Sequence, residues 1–198
     1  KTVKNIEQLL GRTPFYAYDK SIIKKQVDTL KTCLPAQVKL HYAIKANPLP
    51  SLIHYLANLV DGFDVASRKE LLQAMQTSMA ATNISFAGPG KNDQDLITAI
   101  VAGATIHVES FNEYHNIVRI ANSLSTIPNI AFRVNPSFEL KSSGMKMGGG
   151  AKPFGIDEEQ LLAFLPNIEP NSVRLKGFHI FTGSQNLSVA SLIEAHSN

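Results

Sequence analysis

Hydrophobic residues recur along the chain in two alternating patterns, one with the period of a helix and one in short runs. Within residues 21–34 the apolar side chains fall on one helix face: Ile22, Ile23, Val27 and Leu30. The short runs are β-branched or otherwise apolar, as expected for strands of a parallel sheet that helices cover. The pattern therefore predicts a chain in which strands alternate with helices.

The predicted strands lie at residues 15–18, 38–46, 61–66, 84–87, 105–109, 129–134 and 173–181. The predicted helices lie at residues 21–34, 48–59, 68–79, 93–102, 112–123, 158–165 and 188–196. This alternation predicts an α/β fold of about six βα units after the opening strand. The pattern alone fits both an open doubly wound sheet and a (β/α)8 TIM-type barrel that is incomplete in this chain, because a closed barrel needs eight units.

The composition is that of a soluble globular protein. Of the 198 residues, 44% are hydrophobic and 18% are charged, and the net charge of +3 comes from scattered Lys and Arg. No apolar run approaches the roughly 20 residues that span a bilayer, and residues 1–8 lack the apolar centre of a signal peptide. The single cysteine, Cys33, cannot form an intrachain disulfide. We therefore predict a cytoplasmic protein that binds neither nucleic acid nor membrane.

Lys45 is the first candidate for chemistry. It follows the apolar part of the predicted strand at 38–46, and Ala46-Asn47-Pro48 closes the turn behind it. A lysine held close to a sheet is partly desolvated, and an amine that loses its proton can form a Schiff base. The simpler alternative is a strand-end lysine that projects into water, as most lysines do.

The later strands also end in polar residues, which are Asp64, Gly88, Gly90, Glu109, Ser110, Arg133, Asn135, His179, Thr182, Gly183, Ser184 and Gln185. Since ligands bind at the carboxyl ends of parallel strands, these residues predict one pocket. Gly183 and Ser184 precede a predicted helix and therefore suit a phosphate group, although Ser184 also suits a plain helix N-cap.

Three other kinds of site are not indicated. The histidines share no spacing typical of zinc ligands, so we predict no metal site. No G-x-G-x-x-G follows the first strand, which disfavours a dinucleotide site. No G-x-S-x-G is present, which leaves a hydrolase nucleophile unsupported.

Six segments, in order along nearly the whole chain, resemble one known family. They are 13–19 (TPFYAYD), 42–47 (YAIKAN), 62–67 (GFDVAS), 132–136 (FRVNP), 154–156 (FGI) and 177–185 (GFHIFTGSQ). The chain is thereby similar to the N-terminal part of the pyridoxal phosphate (PLP)-dependent decarboxylases of fold type III. These have an alanine-racemase-like barrel and include diaminopimelate, ornithine and arginine decarboxylases.

The resemblance implies PLP as the cofactor and a set of residues that hold it. These residues are Lys45, Asp64, Arg133, His179, Phe181, Gly183 and Ser184. Lys45 would bond the cofactor as a Schiff base, and His179 would share in catalysis. His179 or Phe181 would flank the cofactor ring, while Gly183 and Ser184 would help to bind its phosphate.

The implied reaction is the removal of the α-carboxylate of a small-molecule amino acid, and the implied assembly is a homodimer. Residues 1–198 would form the N-terminal part of the barrel. The remaining barrel units and a C-terminal β-domain would lie outside this chain, so the chain alone is expected to be inactive. A PLP-dependent racemase on the same barrel and a non-catalytic PLP-binding protein are the alternatives.

Two features depart from the family pattern. Phe181 stands where many members have a histidine that stacks on the cofactor ring, so the charge-tuning role of that histidine is lost or is taken by His179. Pro153 separates Lys152 from Phe154, where the family has Lys-Phe-Gly. The stretch 143–149 also resembles a subgroup that acts on less usual, carrier-bound acids, and the resemblance therefore leaves the substrate open.

Overall fold

The chain divides into two compact units, residues 1–40 and residues 41–198. The computed structural model describes residues 3–136, 154–181, 188–190, 193 and 197. The first unit contains helices α1 (Val3–Leu10) and α2 (Lys20–Cys33). Asp19 starts α2, because its Oδ1 accepts a hydrogen bond from the Ser21 N–H at 2.8 Å.

The strand predicted at residues 15–18 is wrong. These residues form no strand in the structure. Aromatic and apolar residues favour an extended chain, but a strand also needs a hydrogen-bonded neighbour, which the sequence pattern does not reveal.

The second unit is a parallel α/β structure. Its strands are β1 (His41–Ala43), β2 (Gly62–Val65), β3 (Ile84–Phe86), β4 (Thr105–Val108), β5 (Asn129–Asn135), β6 (Ile156–Asp157) and β7 (Arg174–Ile180). Its helices are α3 (Pro50–Leu56), α4 (Arg68–Met75), α5 (Asp93–Ala102), α6 (Phe111–Ser123) and α7 (Glu158–Phe164). The strands pair in the order β1-β2-β3-β4-β5-β7, and β6 pairs with the last two residues of β5. All pairings are parallel, which confirms the predicted α/β class.

The sheet has one apolar and one polar face. The apolar side chains of the central strands are at most 1% exposed: Phe63, Val65, Ile84, Phe86, Ile106, Val108, Ile130 and Phe132. Leu71, Leu96 and Ile117, one from each of helices α4, α5 and α6, are also fully buried and belong to this core. The alternate positions of the strands carry polar residues, which are Asp64, Ser85, His107, Arg133 and His179. Because side chains alternate across a strand, the polar set lies opposite the helix-covered core.

The predicted first barrel strand is shorter than expected. Residues 38–46 contain the three-residue strand β1, and a single 3-10 turn follows at Ile44–Ala46. The Asn47 N–H donates to the Ile44 carbonyl at 3.1 Å, and the Tyr42 hydroxyl donates to the Asn47 carbonyl at 3.2 Å. Lys45 therefore lies in a tight turn just after the strand.

Strand β6 was not predicted, because two residues are too few to show a period of two. The Gly-rich stretch at 137–153 lies outside the described residues, as does most of the helix predicted at 188–196. Among the helices that the structure describes, none combines the length and the apolar character needed to cross a bilayer.

Gly62 on β2 is tightly enclosed. A Cβ atom at this position would overlap the His41 imidazole and the Asn83 carbonyl oxygen. We expect Gly62→Ala in the full-length protein to lower the free energy of unfolding by about 1–3 kcal/mol, because the backbone oxygen must shift to admit a methyl group. Urea unfolding measures this loss. Gly90→Ala is the control, since a Cβ there meets nothing within 4 Å. Equal losses for the two variants would contradict the prediction.

Candidate active site

One cavity of about 750 Å³ opens on the polar side of the second unit. The predicted site residues Lys45, Asp64, Arg133, His179 and Phe181 all line it. The loop after β3, residues 88–91, and Phe154 complete much of its wall. The predicted phosphate-binding residues at 183–184 lie outside the described part of the chain, so their role stays a prediction.

Lys45 reaches the cavity from the 3-10 turn after β1. Its side chain is exposed, as in the simpler alternative of a strand-end lysine that projects into water. The physical reason is its place at the end of β1, which is an edge strand of the described sheet. The amine has no hydrogen-bond or ion-pair partner among the residues that the structure describes, and the charge of Lys45 acts on Asp64.

Asp64 lies in the middle of β2 on the polar face. Its Oδ1 accepts a hydrogen bond from the Ser85 hydroxyl of β3 at 2.9 Å. Burial raises the pKa of Asp64 above its ordinary value, whereas the Ser85 hydrogen bond and the charges of Lys45 and His41 act in the opposite direction. Because the net shift is upward, this carboxyl holds its proton to a higher pH than an exposed aspartate does.

Two histidines stack on each other at the site, and one of them, His179, lines the cavity. The rings of His107 on β4 and His179 on β7 have centroids 4.2 Å apart and planes at 28°. Burial, with the positive charges of Lys91 and Arg133 nearby, lowers the pKa of His107 to about 3 and that of His179 to about 4. Both rings are therefore neutral at neutral pH. The Nδ1 atom of each ring is buried without a hydrogen-bond partner in the described structure.

Arg133 on β5 is held by two aromatic rings and one carboxylate. Its guanidinium carbon lies 4.9 Å from the ring centroid of Phe154 and 5.4 Å from that of Phe181. Its Nη1 donates to both carboxylate oxygens of Glu109, at 3.1 and 3.0 Å. Phe181, predicted to flank a cofactor ring, thus also packs against a cation in the cavity wall.

Sequence reasoning did not identify Lys91 and Glu113. Lys91 lines the cavity, and its Nζ forms an ion pair with Glu113 Oε1 at 2.9 Å. A pattern that points to Glu113 was present, because Ser110-x-x-Glu113 has the form of a helix capping box. Nothing in the sequence pattern links Lys91 to that carboxylate, since 22 residues separate them.

Comparison with known families decides the kind of site. The model of the "Pyridoxal-dependent decarboxylase, pyridoxal binding domain" family matches residues 20–198. The chain belongs to this family. The predicted family is thereby confirmed, and the prediction of PLP as cofactor is confirmed at the level of the family.

Curated relatives of the pyridoxal-binding domain support the same assignment. The L-glutamyl-[BtrI acyl-carrier protein] decarboxylase of Niallia circulans is 33% identical over 185 residues, which are 92% of this chain and 43% of the relative. The diaminopimelate decarboxylase of Helicobacter pylori strain J99 is 34% identical, covering 96% of this chain and 49% of the relative. The chain therefore spans about half the length of the curated relatives that it matches.

Solved structures settle the fold class. The Helicobacter pylori diaminopimelate decarboxylase in complex with L-lysine superposes with a TM-score of 0.86 at 31% identity, over 96% of this chain and 50% of that chain. That likeness favours the incomplete (β/α)8 barrel over the open doubly wound sheet, the two folds that the sequence pattern had left open.

The residues of the cavity fit PLP. Its volume of about 750 Å³ lies within the usual range for small-molecule sites. Lys45 offers a primary amine for an aldehyde, and Arg133 offers a fixed positive charge. The unpartnered Nδ1 atom of His179, which lines the cavity, is a buried polar group that a polar ligand would satisfy.

We expect the stacked histidines to make the protein sensitive to acid. Unfolded His107 binds a proton below about pH 6.5, whereas folded His107 remains neutral until about pH 3. The burial of His107 therefore lowers the free energy of unfolding more and more as the pH falls from about 6.5 towards about 3. In the full-length protein, His107→Gln should flatten the fall in unfolding free energy by at most about 1.4 kcal/mol per pH unit.

Urea unfolding at a series of pH values between 7 and 4 measures this difference. Burial raises the pKa of Asp64 and of Glu113, which has the opposite effect on stability, but both carboxyls are present in wild type and variant, so the comparison removes them. His54→Gln, at an exposed histidine of α3, is the control. Parallel curves for wild type and His107→Gln would contradict the prediction.

Proposed function

We propose that this chain is the cofactor-binding part of a PLP-dependent decarboxylase that removes the α-carboxylate of an amino acid. One observation carries the proposal: five residues predicted from four separate motifs line a single cavity in a chain of the pyridoxal-dependent decarboxylase family. The match of the family model over residues 20–198 makes decarboxylation the reaction to test first.

Lys45 is the residue proposed to bond the cofactor. Two lysines line the cavity, and their surroundings differ. The Lys91 side chain is 2% exposed and its Nζ is paired with Glu113, so that amine is buried and already bound to a carboxylate. The exposed Lys45 side chain has no such carboxylate bound to it in the described structure, and its amine is accessible to an aldehyde. Accessibility, in place of the burial expected from the sequence, is what favours Lys45.

The other site residues have proposed roles that follow from their environments. The Asp64 carboxyl, on which the charge of Lys45 acts, holds or releases a proton at its Oδ atoms. His179, neutral at neutral pH, and Phe181 flank the cofactor ring. Arg133 supplies a positive charge to the wall. Gly183 and Ser184 bind the phosphate, as the family motif at 177–185 implies.

The difficult chemistry belongs to the cofactor. When bound, PLP supplies an electron sink for the charge left on the α-carbon as carbon dioxide leaves. The chain's own residues orient the reacting groups and hold protons at Lys45 Nζ and Asp64. The rings of Phe154 and Phe181 cover the Arg133 guanidinium and exclude water from that part of the cavity.

The substrate and assembly belong to the same proposal. We propose a small amino acid or its carrier-bound form, since the relatives include a diaminopimelate decarboxylase and a decarboxylase of a glutamyl-carrier protein. A cytoplasmic homodimer, with residues 1–198 as the N-terminal part of the barrel, is the expected form of the full-length protein.

Borohydride reduction after incubation with PLP tests the cofactor bond. The full-length protein should carry a phosphopyridoxyl mass on the peptide that contains Lys45, and Lys45→Ala should lose it, because no other amine is both in the cavity and unpaired in the described structure. Peptide mass mapping measures the label. Lys69→Ala, at an exposed lysine on α4, is the matched control and should keep it. A label on Lys91, or one that persists in Lys45→Ala, would refute the assignment.

Carbon dioxide release tests the reaction. The full-length protein with PLP should release carbon dioxide from diaminopimelate or from a glutamyl-carrier conjugate, and Lys45→Ala should release none. Loss of optical rotation without carbon dioxide would indicate the racemase alternative. Cofactor binding without either product, across a panel of amino acids, would indicate the non-catalytic alternative.

A further inference from the structure

Four buried charged side chains form a continuous chain at the wall of the cavity, and two of them, Lys91 and Arg133, line it. Lys91 pairs with Glu113 at 2.9 Å, and Arg133 pairs with Glu109 at 3.0 Å. The side chains of Lys91 and Arg133 are 2% and 8% exposed, and those of Glu113 and Glu109 are 9% and 1% exposed. The two pairs are joined where the Glu109 N–H donates to Glu113 Oε2 at 2.7 Å. The chain contains two positive and two negative groups and is therefore neutral. Pairing of this kind offsets the desolvation free energy that burying the charges costs.

The Glu109 carboxylate connects different walls of the cavity. Its carboxylate accepts hydrogen bonds from Arg133 on β5 and from the Gly88 N–H in the loop after β3. Strands β3 and β5 are not neighbours, because β4 lies between them. A carboxylate at the end of β4 therefore fixes a side chain on one flank and a backbone segment on the other. Gly88 and Arg133 both line the cavity.

The helix cap at this site does not need the Glu109 carboxylate. At the start of α6, the Ser110 hydroxyl accepts from the Glu113 N–H, and Glu113 accepts from the N–H of residue 109. The same arrangement occurs at the start of α4. There the Ser67 hydroxyl accepts from the Glu70 N–H, and Glu70 accepts from the N–H of residue 66 at 2.8 Å.

Residue 66 is alanine, so the second cap is complete without an acid at that position. The carboxylate of Glu109 therefore takes no part in the helix cap. Its hydrogen bonds are with Gly88 and Arg133, which line the cavity.

The contacts of Arg133 define what Glu109 controls. The rings of Phe154 and Phe181 both contact the Arg133 guanidinium. Contacts with ring faces restrict where the guanidinium lies, but they do not fix the direction of its N–H groups. Within the described residues, the hydrogen bonds of the guanidinium are confined to Nη1, and both go to Glu109. The orientation of the remaining Arg133 N–H groups therefore depends on this single carboxylate.

We propose that Glu109 is a positioning residue of the cofactor site, which orients the Arg133 guanidinium and holds the Gly88 backbone against it. The assignment of PLP as the ligand rests on the proposed function. The link between Glu109, Arg133 and Gly88 is a property of the protein alone. Two measurements, one with cofactor and one without, therefore separate the two ideas.

The test compares Glu109→Gln with Glu113→Gln in the full-length protein. Each variant removes one negative charge from the same neutral chain, but only the first removes a carboxylate that touches Arg133 and Gly88. We expect Glu109→Gln to raise the Kd for PLP roughly tenfold or more relative to Glu113→Gln, the effect of losing a charge-assisted hydrogen bond. The visible absorbance of bound PLP should also shift more in Glu109→Gln than in Glu113→Gln, which releases Lys91 but leaves the contacts of Arg133 in place.

Hydrogen exchange in the cofactor-free protein gives the second readout. The Gly88 amide should exchange faster in Glu109→Gln than in Glu113→Gln. If wild type binds no PLP, the proposed function fails, and this exchange result alone decides whether Glu109 positions Gly88. Equal effects of the two variants on both readouts would show that only charge balance matters and would overturn the proposal.

Folding is checked with a conservative variant. If Glu109→Gln does not fold, Glu109→Asp retains the charge but shortens the side chain, so it cannot keep the contacts to both Arg133 and Gly88. Loss of PLP affinity in folded Glu109→Asp supports positioning. Wild-type affinity and wild-type Gly88 exchange in that variant would overturn it.

Discussion

Parallel pairing in register determines which side chains meet in this protein. Asp64 pairs with Ser85 and Arg133 pairs with His179, and paired residues project to the same side of the sheet. Because side chains alternate, the opposite positions carry the fully buried residues of the helix-covered core, such as Phe63 and Phe132. A slip of one residue in any strand would exchange the two sets and would bury polar groups in the core. The core and the cavity wall are thus two consequences of one register.

The polar face imposes its own requirement, which is electrical neutrality. Buried carboxylates and cations are tolerated only when they are paired, and Lys91, Glu113, Glu109 and Arg133 meet that condition together. The same requirement separates the two lysines of the cavity. Lys91 is committed to a structural ion pair, while Lys45 stands at an edge of the described sheet with an accessible amine. Two lysines of one cavity therefore differ in role: Lys91 stabilises the buried charges, and Lys45 has the amine that a ligand can reach.

Much of this architecture could be predicted from the sequence, and the failures have physical causes. Apolar runs identify the central strands β2 to β5 because the apolar side chains of those strands are buried, and the motifs around Lys45, Asp64 and Arg133 identify one wall of the cavity. The strand at 15–18 was predicted wrongly because pairing is a tertiary property. The ion pair between Lys91 and Glu113 was missed for the same reason, since its partners come from different βα units and no local pattern connects them.

The sequence also left one question open, namely what replaces the histidine that many family members have at the position of Phe181. His179 cannot supply a positive charge at neutral pH, because its pKa of about 4 keeps the ring neutral. Its neighbours explain why: burial and the charge of Arg133 both oppose protonation. An imidazole at position 181 would meet the same guanidinium, which lies 5.4 Å from the Phe181 ring. A phenyl ring instead offers its negative face to that cation. Whether the charge-tuning role is lost or is taken by His179 stays a prediction. Because His179 is neutral and Phe181 has no ionisable group, the fixed positive charge beside these two rings is that of Arg133, which Glu109 holds in place.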